Sequence, residues 1–179
     1  MGAENGGPEA PAASAAPSSR LWGRYSGLAL AVALATLMLD QAHKWWMLHI
    51  YHIEDKGRVT ITPFMDWVYV KNTGVSYSMF DSSSTNWQLG LAGFAAIASL
   101  ALWFWAARHD TSRLMAASLA LIIGGAIGNG IDRIVLGGVA DFISLHALGF
   151  YWYIFNVADV AIVAGVAGLL YDSFKPESQ

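Results

Sequence analysis

The sequence predicts a mainly α-helical membrane protein with four transmembrane helices and a small β-rich element outside the bilayer core. Three observations carry this. Of 179 residues, 55 % are hydrophobic and only 13 % are charged, against about 25 % charged in soluble domains. Four apolar runs are long enough to cross a bilayer. Two irregular segments between them are rich in strand formers. The net charge is −3 with ten Lys and Arg, which argues against nucleic-acid binding. The chain has no Cys, which removes disulfides, thiol nucleophiles, thiolate metal sites and lipidation on its own cysteine.

Residues 1–20 are rich in Ala, Pro, Gly and Ser. This composition cannot bury a core and is expected to be a disordered tail. Residues 21–172 are expected to form one integral-membrane domain, followed by a short tail at 173–179. Arg20 and Arg24 flank the apolar run that opens it. Basic-then-apolar also describes a cleaved leader, but the small triplet Ala33-Leu34-Ala35 lies inside the run, and Asp40-Gln41-Ala42-His43-Lys44-Trp45-Trp46 follows it. A retained first span over about 22–48 is expected, with Trp45 and Trp46 at the interface.

Between His49 and Asp81 the chain changes character. Val59, Ile61 and Trp67-Val68-Tyr69-Val70 favour strands, interrupted by Pro63 and ending at Lys71-Asn72-Thr73-Gly74. His49 and His52 stand three apart without a clear third ligand, which suits an interface better than a metal site. No charge occurs from Ser82 to Ala107, so a second span is expected at about 87–107. After a polar turn, Arg108 to Arg113, a third span runs over about 114–132. It closes on Gly128-Asn129-Gly130-Ile131-Asp132-Arg133. Gly124, Gly125 and Gly128 suit close helix packing rather than a phosphate loop. A second irregular segment holds the strand-like Val139-Ala140-Asp141-Phe142-Ile143, and a fourth span is expected at about 152–171. Trp103, Trp105, Tyr151 and Trp152 read as further interface anchors.

Four antiparallel spans bring the embedded polar residues to one side of the membrane. Asp40 and Lys44 share a helix face at the end of the first span. Asn129, Asp132 and Arg133 close the third, and Asn156 and Asp159 open the fourth. Asn72 and Asp141 sit on the irregular segments of that same side. Lys and Arg divide five against five between the two sides; Arg20 and Arg24 before the first span favour cytoplasmic termini.

Without Cys, and with no His in an embedded motif, carboxylates remain as the chemistry. Two carboxylates held close share a proton. One then acts as base on water while the other, protonated, bonds a carbonyl. Asp141 and Asp159 fit, since neither has an adjacent basic neighbour. Asp40–Lys44 reads as an ion pair that positions other groups, and Arg133 suits a carbonyl or phosphate-like acceptor. Two alternatives stand beside this: a proton-coupled transporter using Asp159 and Asp40, and a tetraspan scaffold held by its polar cluster. Polar groups gathered at one end disfavour transport, which needs them through the bilayer depth.

Five motifs, in order, resemble bacterial lipoprotein signal peptidase (signal peptidase II). They are Asp40-Gln41-x-x-Lys44, Asn72-Thr73-Gly74, Gly124-Gly125-Ala126-x-Gly128-Asn129-x-x-Asp132-Arg133, Val139-Ala140-Asp141-Phe142-Ile143 and Phe155-Asn156-Val157-Ala158-Asp159. The resemblance implies four transmembrane helices, an extracytoplasmic β-cradle with a short helix, and an aspartic endopeptidase of the bacterial inner membrane with its active site at the extracytoplasmic face. It implies cleavage of diacylglyceryl-modified prolipoproteins just before the lipidated Cys, no cofactor, and inhibition by the cyclic peptide globomycin. It makes Asp141 and Asp159 the catalytic pair, with Asp40, Lys44, Asn72, Gly74, Asn129, Asp132, Arg133 and Asn156 as the supporting shell. A monomer in the lipid bilayer is expected. The chain departs from the family pattern at Ser76 and Tyr77.

Overall fold

The computed structural model describes residues 21–74, 83–108 and 112–174. The N-terminal tail, Lys175 and the departures at Ser76 and Tyr77 lie outside the described residues. The elements in chain order are α1 (Ser26–Trp45), a π-helical turn (Trp46–Ile50), α2 (Ile53–Lys56), β1 (Val59–Thr62), β2 (Met65–Asn72), α3 (Thr85–Arg108), α4 (Arg113–Val135), β3 (Val139–Ala147), β4 (Phe150–Phe155) and α5 (Val157–Ser173).

Among the described residues, three helices are long and apolar enough to cross a membrane: Ser26–Ile50, Thr85–Arg108 and Arg113–Val135. The fourth expected span starts later than the apolar run suggests. Phe150-Tyr151-Trp152-Tyr153-Ile154-Phe155 is strand β4, and the helix begins only at Val157. Aromatic and β-branched residues in succession favour a pleated strand, and β3 supplies the partner. The helix that remains, α5, has 17 residues, about 25 Å at 1.5 Å per residue. The third helix runs past its expected end to Val135, so Asp132 and Arg133 lie within its last turns.

Helix α4 is the centre of the bundle and packs against α1, α3 and α5. Its glycines permit this. A Cβ at Gly125 would meet the Ala158 carbonyl oxygen at 2.6 Å, and one at Gly128 would meet Asp40 Oδ2 at 2.6 Å. Small residues let helices approach closely where lipid offers no hydrophobic drive to associate.

The sheet is antiparallel throughout, in the order β1-β2-β3-β4. Val70 pairs with Asp141 and Asn72 with Val139. Both faces of the first turns of β3 are covered: Val139, Ala140, Asp141 and Phe142 are all buried. Ala140 and Phe142 pack with Met47 of the π-helical turn and Ile53 of α2. Burying such side chains contributes about 1.5–3 kcal/mol each. By strand alternation Val139 and Asp141 then face the opposite way, toward α4 and α5. The fold thus mounts Asp141 on a strand clamped to the end of α1.

Candidate active site

The start of α5 sets the site. Asn156 caps the helix: its Oδ1 accepts from the Asp159 N–H at 3.0 Å, and its own N–H donates to Asp159 Oδ2 at 3.3 Å. This reciprocal box fixes the Asp159 carboxylate against the helix N-terminus. The Asn156 side chain is fully buried. Its Nδ2 donates to Asp141 Oδ1 at 2.7 Å and to Asn129 Oδ1 at 3.1 Å. Asn129 Nδ2 donates in turn to Asp159 Oδ1 at 2.9 Å. Two asparagines therefore join Asp141 and Asp159 into one hydrogen-bonded unit. Asn72 completes it, its Nδ2 donating to Asp141 Oδ2 at 3.3 Å and to the Tyr153 hydroxyl at 3.1 Å.

Beside this unit lies a buried ion triad. Lys44 Nζ stands 2.8 Å from Asp40 Oδ2 and 2.7 Å from Asp132 Oδ2, and donates to Asn129 Oδ1 at 3.0 Å. Each carboxylate of the triad also holds a backbone N–H. Asp40 Oδ1 accepts from Ala158 at 3.0 Å, and Asp132 Oδ2 accepts from Ala140 at 3.1 Å. Those are the residues immediately before Asp159 and Asp141. One ion triad thus clamps the chain on which each member of the Asp141/Asp159 pair is carried. Arg133 reaches the other way, donating from Nη1 to the Asn129 carbonyl and from Nη2 to the Gly74 carbonyl, both at 3.1 Å. Gly74 N–H donates to Asn72 Oδ1 at 3.1 Å.

Every site residue expected from the sequence belongs to this one connected network. Sequence reasoning missed three contributors. Gln41 Nε2 donates to Asp40, Asp132 and the Gly128 carbonyl; it shares a face with Lys44, three residues on, which was the available signal. Gln88 Nε2 donates to the Thr73 carbonyl at 2.6 Å, and a side-chain amide near the opening of an uncharged span is its signal. Tyr153 gives none, standing in a run of aromatics. His49 and His52 join no site. His49 stacks on Trp45 with ring centroids 5.7 Å apart. Among the described residues no group of three His, Asp or Glu is gathered for a metal ion.

Burial pushes the Asp141 carboxyl up to about 7, reinforced by the charge of Asp159; hydrogen bonds from Asn156 and Asn72 and the charge of Lys44 act against the rise. Asp159 and Asn72, both bonded into this unit, open on a cleft of about 220 Å³ also lined by Leu91, Phe94, Asn129, Arg133 and Val139. The cleft lies between α3 and α5, along α4. A substrate in it would meet the apolar side chains of Leu91, Phe94 and Ile162 and the polar groups of Asn72, Asn129, Arg133 and Asp159.

Comparison with known proteins identifies the family of the chain. Residues 32–175 match the family profile of signal peptidase (SPase) II. A lipoprotein signal peptidase of Beijerinckia indica subsp. indica is 48 % identical over 147 residues, covering 81 % of this chain and 86 % of that protein. One from Methylocella silvestris is 49 % identical over 144 residues, covering 79 % and 82 %. A bacterial membrane enzyme solved by the in meso method at 2.3 Å superposes with a TM-score of 0.67 at 25 % identity, over 86 % of this chain and 93 % of its own. A second, at 1.9 Å, gives 0.68 at 23 % identity over 88 % and 98 %, a likeness of fold. The chain belongs to the signal peptidase II family, a family of aspartic peptidases.

Proposed function

We propose that this protein is an intramembrane aspartic endopeptidase that removes signal peptides from diacylglyceryl-modified prolipoproteins, cutting just before the lipidated Cys. The observation that carries this reading is the asparagine-linked carboxylate pair, Asp141 and Asp159, of which Asp159 lines a cleft between α3 and α5. With one proton shared at neutral pH, one carboxylate takes a proton from water as it attacks the scissile carbonyl. The other donates its proton to the carbonyl oxygen. Collapse of the tetrahedral intermediate returns a proton to the leaving amine. No cofactor is needed for these steps. Asn156, Asn129 and Asn72 orient the pair, and the Lys44 triad fixes the backbone behind it. Arg133 and Asn72 line the cleft that receives the substrate chain, and the Gly74 carbonyl holds Arg133 in place.

In this reading α5 is a fourth span, extended at its start by the surface-lying sheet, and both termini are cytoplasmic in the bacterial inner membrane. The site then lies at the extracytoplasmic face, where a lipid-anchored substrate arrives sideways through the bilayer. The test uses purified protein with a diacylglyceryl-modified prolipoprotein and its unlipidated precursor, resolved by gel shift. Cleavage of the lipidated form alone, blocked by globomycin, is the expected result. Equal cleavage of both forms, or of neither, would overturn the substrate assignment.

A further inference from the structure

The sheet has two ends of opposite character. Its root, where Asn72 pairs with Val139, carries the polar network. At its far end the β1–β2 turn at Pro63-Phe64 and the β3–β4 turn at Leu148-Gly149 lie side by side, because the His146 N–H donates to the Phe64 carbonyl at 2.9 Å. That end is apolar and open. Phe64 is 59 % exposed, Leu148 108 %, Phe150 65 % and Trp152 61 %. Single exposed apolar residues are ordinary; a contiguous group of large ones marks a surface that meets something.

Leu148 sharpens the point. Ala147 pairs with Phe150, leaving a two-residue turn in which Leu148 has φ 52° and Gly149 φ 82°. Positive φ at both turn residues belongs to a type I′ hairpin, which favours Asn-Gly. Leucine here opposes both the backbone preference and hydration.

The tip is braced. Arg58 Nη1 donates to Asp66 Oδ2 at 2.9 Å and to Ser144 Oγ at 3.2 Å, and its guanidinium lies 5.1 Å over the Tyr151 ring. The His146 ring stands 5.0 Å from the same tyrosine. One cluster therefore ties β2, β3 and β4 to the approach to β1. Phe, Tyr, Trp and Leu beside a stacked cation is the composition of a membrane–water interface. The sheet is also continuous with that interface: Trp67 of β2 stands edge-on to Trp46 at the end of α1, centroids 5.9 Å apart.

We propose that Phe64 and the Leu148–Trp152 hairpin insert into the lipid interface on the side of the membrane that holds the polar network. The sheet is then fixed at both ends, by α4 and α5 at its root and by lipid at its tip. Strand β3, which carries Asp141, is held between them.

The chain has no Cys, so single cysteines at Leu148 and, separately, Phe64 can be labelled with an environment-sensitive fluorophore in nanodiscs of phosphatidylcholine and phosphatidylglycerol. Val163→Cys on α5 calibrates lipid exposure and Glu54→Cys on α2 calibrates water. Both tip labels should shift to the blue, lose most of their emission to lipids carrying a nitroxide near the headgroup, and resist aqueous iodide relative to Glu54→Cys. If both labels are quenched by iodide as fully as Glu54→Cys and untouched by the nitroxide, the tip stands in water. A protein partner would then be its occupant, and the proposal fails. Insertion of only one label would overturn the paired tip as stated.

Discussion

Four aspartates meet at one end of the bundle, and what distinguishes them is what touches them. Asp40 and Asp132 both contact Lys44, at 2.8 and 2.7 Å. Asp141 and Asp159 are bonded, among the described residues, by amide groups alone. A buried ion pair of this kind is structural, since removing either partner strands the other in the interior. Asp141, held by neutral amides beside a second carboxylate, has its carboxyl pushed up to about 7 by burial and by the charge of Asp159. The same residue type thus gives an ion-paired clamp in one pair and, in the function proposed here, the proton-sharing pair in the other. The two are coupled through geometry, since the clamp holds the N–H groups of Ala158 and Ala140.

The largest separation between the pairs should appear on neutralising substitutions. Asp141→Asn and Asp159→Asn should each lower kcat by about 10²–10⁴-fold, with Tm near that of the parent protein in detergent. Loss of Tm without loss of cleavage would reverse the roles assigned to the pairs. Lys44→Met should act on the other side of the comparison. It strands two buried carboxylates and should cost about 3–5 kcal/mol, seen as a large fall in Tm. Unchanged thermal unfolding in that variant would mean the triad is not the clamp.

A third effect is in pH dependence. Asp141 has a folded pKa near 7, raised from 3.8. A raised value means that protonation favours the folded state. Its stabilising contribution is complete below the ordinary carboxylate range and is lost as pH rises through about 7. Cleavage should fall over the upper part of the same window, as the pair loses its only proton. Asp141→Asn should flatten the stability profile there; a profile as steep as the parent's would place the titration elsewhere. The smallest effect should come from Tyr153→Phe. Removing the hydroxyl that accepts from Asn72 should cost about 0.5–1.5 kcal/mol, a modest loss in kcat that single-turnover kinetics would resolve.

Much of this was legible in the chain because the signals are local. Twenty-six residues without charge mark α3, and the spacing of Asp40 and Lys44 places both on one helix face. Asn156 and Asp159, three apart in an apolar run, place two polar groups together near the start of the last helix. The beginning of α5 was not legible, because a membrane span and an aromatic-rich strand are both continuous apolar runs. Only pairing with β3 tells them apart at Tyr151 to Phe155. The partner of Asp132 was equally hidden. Its neighbour in sequence is Arg133, yet its ion pair is with Lys44, distant in the chain, while Arg133 turns to the carbonyls of Asn129 and Gly74. Charge pairing across helices is decided by α4 lying close to α1, which the glycines permit but do not specify.

The measurement that bears most directly on the carboxylate comparison is infrared difference spectroscopy of the protein in bilayers across neutral pH. The account predicts a protonated carboxyl stretch that disappears as pH rises through about 7, is absent in Asp141→Asn, and persists in a variant of an exposed acid such as Glu54→Gln. A band that survives Asp141→Asn unchanged, or no protonated carboxyl on the acidic side of that range, would contradict it.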